Sequence, residues 1–193
     1  IASALYDFRQ SHPQVELSLQ ELGRDAQIAL VEQGQLDIGI VRALDRPPLP
    51  AGLNSECLLE EAMVLAMRED HPLACREENP SIADLAGVPL ILYGATNGAG
   101  FNEHLFALCE EAGFQPTIAL EVTSFATLLG LAAAGFGATI LSQSLARLHV
   151  DNLVFRRLAT AINSRLWIVY KDELSPTARS FKDMVIAPHD APS

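Results

Sequence analysis

The sequence predicts an α/β fold in which helices pack on mostly parallel sheets. Short apolar runs alternate with amphipathic segments along the whole chain, and glycine or proline marks most of the junctions between them. The composition agrees, because 49% of the 193 residues are hydrophobic and 19% are charged. A chain of this length can form one large domain or two small ones, each with its own core.

The first predicted elements alternate between helix and strand. In order, they are a helix from residue 1 that ends at His12-Pro13, a strand at 15–21 (VELSLQE), a helix at 24–34 that ends at Gly34, and a strand at 36–42 (LDIGIVR). The strand at 15–21 is predicted because its apolar residues recur with period two. Strand, helix and strand with short links predict a right-handed parallel crossover.

The rest of the chain continues the alternation after a proline-rich surface loop at 44–52. We expect one long strand or two strands at 53–69, a short helix at 81–87 with Ser81 as its N-cap, strands at 88–93, 117–122, 136–141, 153–158 and 165–171, helices at about 102–112, 124–135 and 142–148, and a final helix from Ser175. Thr123 or Ser124 is expected to begin the helix at 124–135.

Charge and composition exclude several classes of function. A formal net charge of −11 repels phosphate backbones, so the chain alone is not expected to bind nucleic acid tightly. No apolar run approaches the ~20 residues of a membrane span, and no secretory leader is visible. Three cysteines without a CxxC pair favour reduced, buried thiols in a cytoplasmic protein. Because the chain opens in the middle of a helical pattern without a methionine, we expect it to be part of a longer protein.

The segment YGATNGAGF (93–101) places three glycines in seven positions between a strand and a helix. It has no lysine for a Walker loop, and no GxGxxG follows, so it predicts neither a phosphate-binding loop nor a dinucleotide site. Backbone amides at a helix N-terminus suit a carboxylate. A plain flexible turn is the alternative.

No catalytic or metal-binding pattern emerges. There is no GxSxG elbow and no HExxH, and the five histidines are scattered, so we predict no catalytic residue, no metal and no cofactor. Polar groups instead gather where predicted strands meet helices: Arg24 opens one helix, Arg42 ends a strand, and Thr123 and Ser124 begin another helix. Ligands in open α/β sheets bind at such strand ends.

Several segments resemble the effector-binding domain of LysR-type transcriptional regulators. They are FRQSHPQVELSLQELGRDAQIALVEQGQLDIGIVR, EDHPLA, LILYGATNGAGF and LEVTSFATLLGLAAAGFGATILSQSL, and the similarity covers almost the whole chain. Within these segments, ELGRDAQ, LILYGATNGAGF and LEVTSFATLLGLAAAGFG look nearest to the subgroup that controls aromatic catabolism through benzoate or muconate-type effectors. The resemblance implies two Rossmann-like subdomains joined by two crossover strands, similar to type 2 periplasmic binding proteins. Subdomain I would comprise residues 1–59 and 165–193, and subdomain II residues 60–164.

The resemblance also implies partners and a site. The family's winged helix-turn-helix DNA-binding domain and first strand are expected to lie outside this sequence, and the protein to form a homodimer or homotetramer without membrane contact. A small organic anion, a carboxylate or an aromatic acid, would bind in the cleft between the subdomains. The residues implied for that site are Arg42, Arg24, Gly98, Ala99, Gly100, Phe101, Val122, Thr123 and Ser124.

Arg24 departs from the subgroup, which typically has threonine there. We therefore expect an effector other than muconate itself, and an Arg24 that meets a ligand, water or an internal acid such as Glu21. Three other functions compete with a ligand sensor. A periplasmic-type solute-binding protein for a small carboxylate would carry a secretory leader, an enzyme would need converging catalytic groups, and a pure interaction module would bind no small ligand.

Overall fold

The computed structural model describes residues 1–94 and 100–186 of the chain, and these divide by their internal packing into two units. Unit 1 contains Ile1–Arg42, Arg46–Leu59 and the described residues from Leu166 onward. Unit 2 contains Ala43–Asp45 and Glu60–Arg165. Each unit has a hydrophobic core of its own.

Unit 1 combines three helices with parts of three strands. The elements are α1 (Ala2–Ser11), α2 (Arg24–Gln33), β1 (Ile38–Ala43), the start of β2 (Leu53–Arg68), the end of β7 (Asn163–Lys171) and α5 (Pro176–Ile186). Its core consists of Ile28, Val31, Val41, Leu53 and Val169. Helix α1 packs on α5, where the rings of Phe8 and Phe181 meet edge to face with centroids 5.2 Å apart.

The ends of the unit 1 helices follow from local sequence. Helix α2 begins after Gly23 and ends at Gly34, which adopts φ 73° and so occupies the left-handed region that favours glycine. Helix α5 begins after Ser175, whose hydroxyl accepts a hydrogen bond from Ala178 N at 3.1 Å. Both ends agree with the sequence prediction.

Unit 2 contains the remaining strands and helices. They are β3 (Pro89–Tyr93), α3 (Phe101–Glu111), β4 (Thr117–Val122), α4 (Phe125–Ala133), β5 (Thr139–Ser142), β6 (Leu153–Arg157), the second part of β2 and the start of β7. Alternate residues of β2 feed two clusters: Met63, Leu65 and Met67 join one, and Val64 and Ala66 join the other. Both faces of this strand are therefore buried, and the sequence shows a continuous apolar run there.

The strand pairing corrects the prediction of mostly parallel sheets. In the larger sheet the order is β1-β7-β2-β5, with β6 also on β2, and β2 pairs antiparallel with both β5 and β6. Strands β3 and β4 are parallel, and Leu90 bridges Ala138 in a parallel sense. Strand β2 is a single strand of 16 residues, and its last part, Met63–Arg68, forms both antiparallel ladders.

The predicted strand at 15–21 is wrong. Residues 16–23 have no regular structure, and the alternating Leu17 and Leu19 are 38% and 74% exposed. A β-strand needs hydrogen bonds to a neighbouring strand as well as alternating apolar residues. Within the described residues, this segment instead has a short-range backbone hydrogen bond, from Val15 N to His12 O. The strand–helix–strand crossover predicted around α2 is therefore absent from this structure.

Smaller corrections concern the short helices and the cysteines. The predicted helices at 81–87 and 142–148 are 3-10 turns at Ala83–Leu85 and Gln143–Arg147. Ile82 directly precedes the first turn, but the Ser81 hydroxyl accepts from Asp84 N at 3.3 Å, as the predicted N-cap would. Only Cys109 is buried, whereas Cys57 and Cys75 are exposed. None of the helices in the described ranges has the length and apolar character to cross a membrane.

Candidate functional site

Two of the predicted turns lie side by side at one edge of the small sheet in unit 2. Strands β3 and β4 are parallel, with Tyr93 opposite Val122 at their carboxyl ends. The amide of Gly94 then donates to the carbonyl of Val122 at 2.7 Å, which extends the pairing one residue beyond the strand. The chain leaves both strands at this edge and enters helices α3 and α4, so the geometry is that of a ligand-binding edge in an α/β sheet.

The start of α3 is fixed by a glycine and a buried asparagine. Gly100 adopts φ 82° and its carbonyl accepts from His104 N at 3.2 Å, so a left-handed residue begins the helix. Asn102 is only 6% exposed, and its side-chain amide donates to the carbonyl of Tyr93 at 2.9 Å. This bond ties the first turn of α3 to the end of β3. Phe101, the first helical residue, packs against the larger core cluster.

The predicted contacts Gly98 and Ala99 lie outside the described residues. Of the segment 93–101, the structure therefore describes Tyr93, Gly94, Gly100 and Phe101.

The start of α4 offers backbone amides without a competing acid. Of the two predicted candidates, Thr123 and Ser124, it is Ser124 that forms the N-cap, and its hydroxyl accepts from Thr127 N at 3.5 Å. The amides of Phe125 and Ala126 precede the first intrahelical donor and have no acceptor recorded among the described residues. No acidic residue stands in the first turn of α4, whereas α2 has Asp25 and α3 has Glu103 there. The partial positive charge at this helix end is thus free to act on an anion.

A ring pair that the sequence analysis missed lies next to these amides. The rings of Tyr93 and Phe125 are stacked, with centroids 4.2 Å apart and planes 8° from parallel. The sequence did contain a signal for this pair, because Tyr93 and Phe125 each lie at the junction of a predicted strand and a predicted helix. Their contact could not be foreseen without the register of β3 on β4.

The two predicted arginines belong to unit 1. Arg24 is the first residue of α2, and its Nε donates to the carboxylate of Asp25 at 2.8 Å. The internal acid that meets Arg24 is therefore Asp25 rather than Glu21. Arg42 is the penultimate residue of β1 and is half-buried, on the opposite face of the strand from the buried Val41 and Ala43.

Two serines near the end of β5 make other contacts. The Ser142 hydroxyl is buried and donates to the Met63 sulfur at 3.8 Å, and Ser144 binds the carboxylate of Glu61 through its amide at 2.7 Å and its hydroxyl at 3.1 Å. Across residues 1–94 and 100–186, no group of three or more His, Cys, Asp or Glu side chains could hold a metal ion.

Comparison with protein families identifies the chain. The model of the LysR substrate binding domain matches residues 1–187. The chain belongs to this family. Its curated relatives include the uncharacterized HTH-type transcriptional regulator YnfL of Escherichia coli K12, which is 30% identical over 94% of this chain and 61% of its own length. The HTH-type transcriptional regulator BenM of Acinetobacter baylyi is 28% identical over 77% of this chain and 48% of its own length.

Solved structures agree with the family. The C-terminal domain of a probable LysR family regulator from Rhodococcus sp. RHA1 is 27% identical, with a TM-score of 0.82 over 97% of this chain and 92% of that domain. The BenM effector binding domain with its effector benzoate is 24% identical, with a TM-score of 0.80 over 96% of this chain and 83% of that chain. The predicted type 2 periplasmic-binding-protein-like fold and the LysR resemblance are therefore confirmed. This LysR domain spans about three fifths of the length of the first curated relatives that it matches.

Proposed function

We propose that this LysR domain is the ligand-sensing part of a DNA-binding transcription regulator and that it binds a small organic anion. The observation that carries the proposal is the start of α4, where free amides without a first-turn acid stand at the edge at which β3 and β4 end. The named relatives are transcriptional regulators, which favours a sensor over a solute-binding protein.

Each predicted residue has a defined role in this proposal. In unit 2, the amides at Gly100–Phe101 and Val122–Ser124, together with the predicted Gly98 and Ala99, are proposed to face the anion. In unit 1, Arg42 is the proposed cationic contact, because a guanidinium can bind a carboxylate through two hydrogen bonds. Arg24 contributes less, because Asp25 already offsets its charge at 2.8 Å. A dicarboxylate or an aromatic monocarboxylate fits this set, and the structurally similar BenM domain has benzoate as its effector.

Binding acts as a switch without chemistry. We infer no catalysis, because the named relatives are transcriptional regulators and the sequence carries no catalytic motif. An effector changes an equilibrium between two conformations only by its differential affinity for them. No cofactor is needed for such a switch.

The whole regulator does more than this chain. A domain with a net charge of −11 repels DNA, so we assign DNA binding to a winged helix-turn-helix elsewhere in the regulator. The regulator acts as a homodimer or homotetramer in the cytoplasm, where its promoter DNA is.

The test is isothermal titration calorimetry of the chain against benzoate, cis,cis-muconate, saturated dicarboxylates and amino acids. Binding of one acid class is expected, and failure of the whole panel would contradict the proposal. Arg42→Ala should weaken that binding by about 2 to 5 kcal/mol, the cost of removing one partner of a desolvated charge pair. Arg179→Ala, at an exposed position on α5 in the same unit, is the matched control and should bind normally. Unchanged affinity in Arg42→Ala removes Arg42 from the site.

A further inference from the structure

The Tyr93–Phe125 ring pair has a rigid base. Tyr93 is the last residue of β3, and the three residues before it are almost fully buried: Leu90, Ile91 and Leu92 are 1%, 0% and 4% exposed. Its carbonyl accepts from the buried Asn102 at 2.9 Å. The backbone of Tyr93 is thus held by β4 on one side and by the first turn of α3 on the other, and its ring stacks on the ring of Phe125.

Phe125 is placed against this backing by the strand register. Val122 lies opposite Tyr93, and the Gly94–Val122 hydrogen bond of 2.7 Å locks the two strand ends together. Three residues later the chain has turned into α4, and the Phe125 ring lies parallel to the Tyr93 ring with centroids 4.2 Å apart. This short parallel arrangement is one of the favourable geometries of aromatic pairs.

Phe125 is not a core residue. The buried residues of α4 are Leu128, Leu129 and Ala132, which pack in a core cluster of which Phe125 is not a member. The Phe125 side of the pair remains 39% exposed. The Phe125 ring therefore stacks on Tyr93 on one side and is partly exposed on another. Because Phe125 is also the first residue of α4, its ring can contact a ligand that the amides at the start of α4 bind.

We propose that the Tyr93–Phe125 pair is a specificity determinant that selects effectors with a planar, unsaturated ring over saturated acids of the same size and charge. The inference rests on the proposed function, since the amides beside Phe125 must hold the carboxylate. A flat π-face gains from stacking or edge contact with a second flat ring, whereas a puckered saturated ring gains only general apolar contact. The pair thereby narrows the effector class from organic anions to aromatic carboxylates.

The test compares benzoate with cyclohexanecarboxylate, two ring monocarboxylates that differ in planarity. Calorimetric titrations use the wild-type chain, Phe125→Leu, which keeps an apolar side chain without a ring, and Phe125→Tyr, which restores the ring. Wild type should prefer benzoate by roughly two- to tenfold, the factor to which the energy of an aromatic pair corresponds. Phe125→Leu should lose this preference and still bind both acids, and Phe125→Tyr should keep it. A role in packing alone would lower both affinities together and leave their ratio unchanged.

Two outcomes overturn the inference in different ways. Equal affinities in wild type, or a preference that survives in Phe125→Leu, refute the ring pair as a determinant and leave the anion-sensing proposal intact. Binding of neither acid by wild type also refutes it, and the wider acid panel then decides whether anion sensing fails as well. Circular dichroism spectra and melting curves of the three proteins establish that each is folded before the ratios are compared.

Discussion

Gly137 is the position at which a single methyl group should be most damaging to unit 2. It precedes β5, and a Cβ built on it would lie 2.5 Å from the carbonyl oxygen of Pro89 and 3.0 Å from its carbonyl carbon. The same oxygen accepts from Ala138 N at 2.8 Å, and the Ala138 carbonyl accepts from Ile91 N at 2.8 Å. These two bonds join the start of β3, the strand that ends at Tyr93, to the start of β5.

The expected cost of Gly137→Ala can be worked from these distances. The new methyl and the Pro89 oxygen must separate by about 0.9 Å to reach the 3.4 Å at which ordinary contact begins. A shift of that size stretches both 2.8 Å bonds beyond useful length, at about 1 kcal/mol each, and overpacking adds about 1 to 3 kcal/mol. We expect a total loss of about 3 to 5 kcal/mol, equivalent to a fall in Tm of roughly 6 to 20 °C for a chain of this size.

Urea and thermal unfolding of Gly137→Ala beside Gly130→Ala provide the assay. Gly130 lies inside α4 with nothing within 4 Å of a built Cβ, so the same change there should stabilise the chain by about 0.4 to 1 kcal/mol. Opposite signs for the two variants are expected. A Gly137→Ala protein that melts with the wild type, or with Gly130→Ala, would refute the close-approach argument.

Two further predictions concern the loop before β3. Two hydrogen bonds from Ser81, from its hydroxyl and its backbone amide, and one from Arg76 lower the pKa of Asp84 from 3.8 to about 2. Because the pKa of Asp84 is lower in the folded than in the unfolded protein, its ionised carboxylate stabilises the fold above pH 4, and this stabilisation disappears as the pH falls towards 2. Asp84→Asn should therefore lower the free energy of unfolding at pH 6 and leave it equal to that of wild type near pH 2, as measured by urea titrations. The Arg156 guanidinium donates to four backbone carbonyls between Ala74 and Glu78. Arg156→Met should cost about 1.5 to 3 kcal/mol and speed hydrogen exchange across 74–78, whereas Arg157→Met, on the exposed neighbour, should do neither; equal exchange in both would contradict the role of Arg156.

Much of the fold was predictable because local chemistry decides it. Gly34 ends α2 in a left-handed conformation, Ser175 caps α5 and Ser124 caps α4, and each signal depends on neighbours within a few residues. The strand prediction at 15–21 failed for the opposite reason. Alternating apolar residues indicate which face of a strand could be buried. Whether the strand forms depends on a neighbouring strand that can accept and donate its backbone hydrogen bonds.

The same logic predicted part of the geometry around the proposed site. A strand end followed by a capped helix indicated the Thr123–Ser124 turn, and the hydrogen bond from Gly94 to Val122 places the start of that turn beside the end of β3. The roles of Arg42 and Arg24 stay predictions, as does the contribution of Gly98 and Ala99. That Arg24 pairs with Asp25, its neighbour in sequence, shows how a nearby acid can alter the meaning of a predicted cation.

The sequence by itself determined the α/β class, most helix boundaries and the LysR family. Apolar periodicity, helix caps and the order of the family motifs all depend on residues that are close together in the chain. Only the tertiary structure decided that β2 runs as one strand through both units, that β3 and β4 end together, and that Tyr93 stacks on Phe125. These features depend on the register between segments that are distant in the chain. Register is set by the packing of whole strands and helices, so no short stretch of sequence contains it.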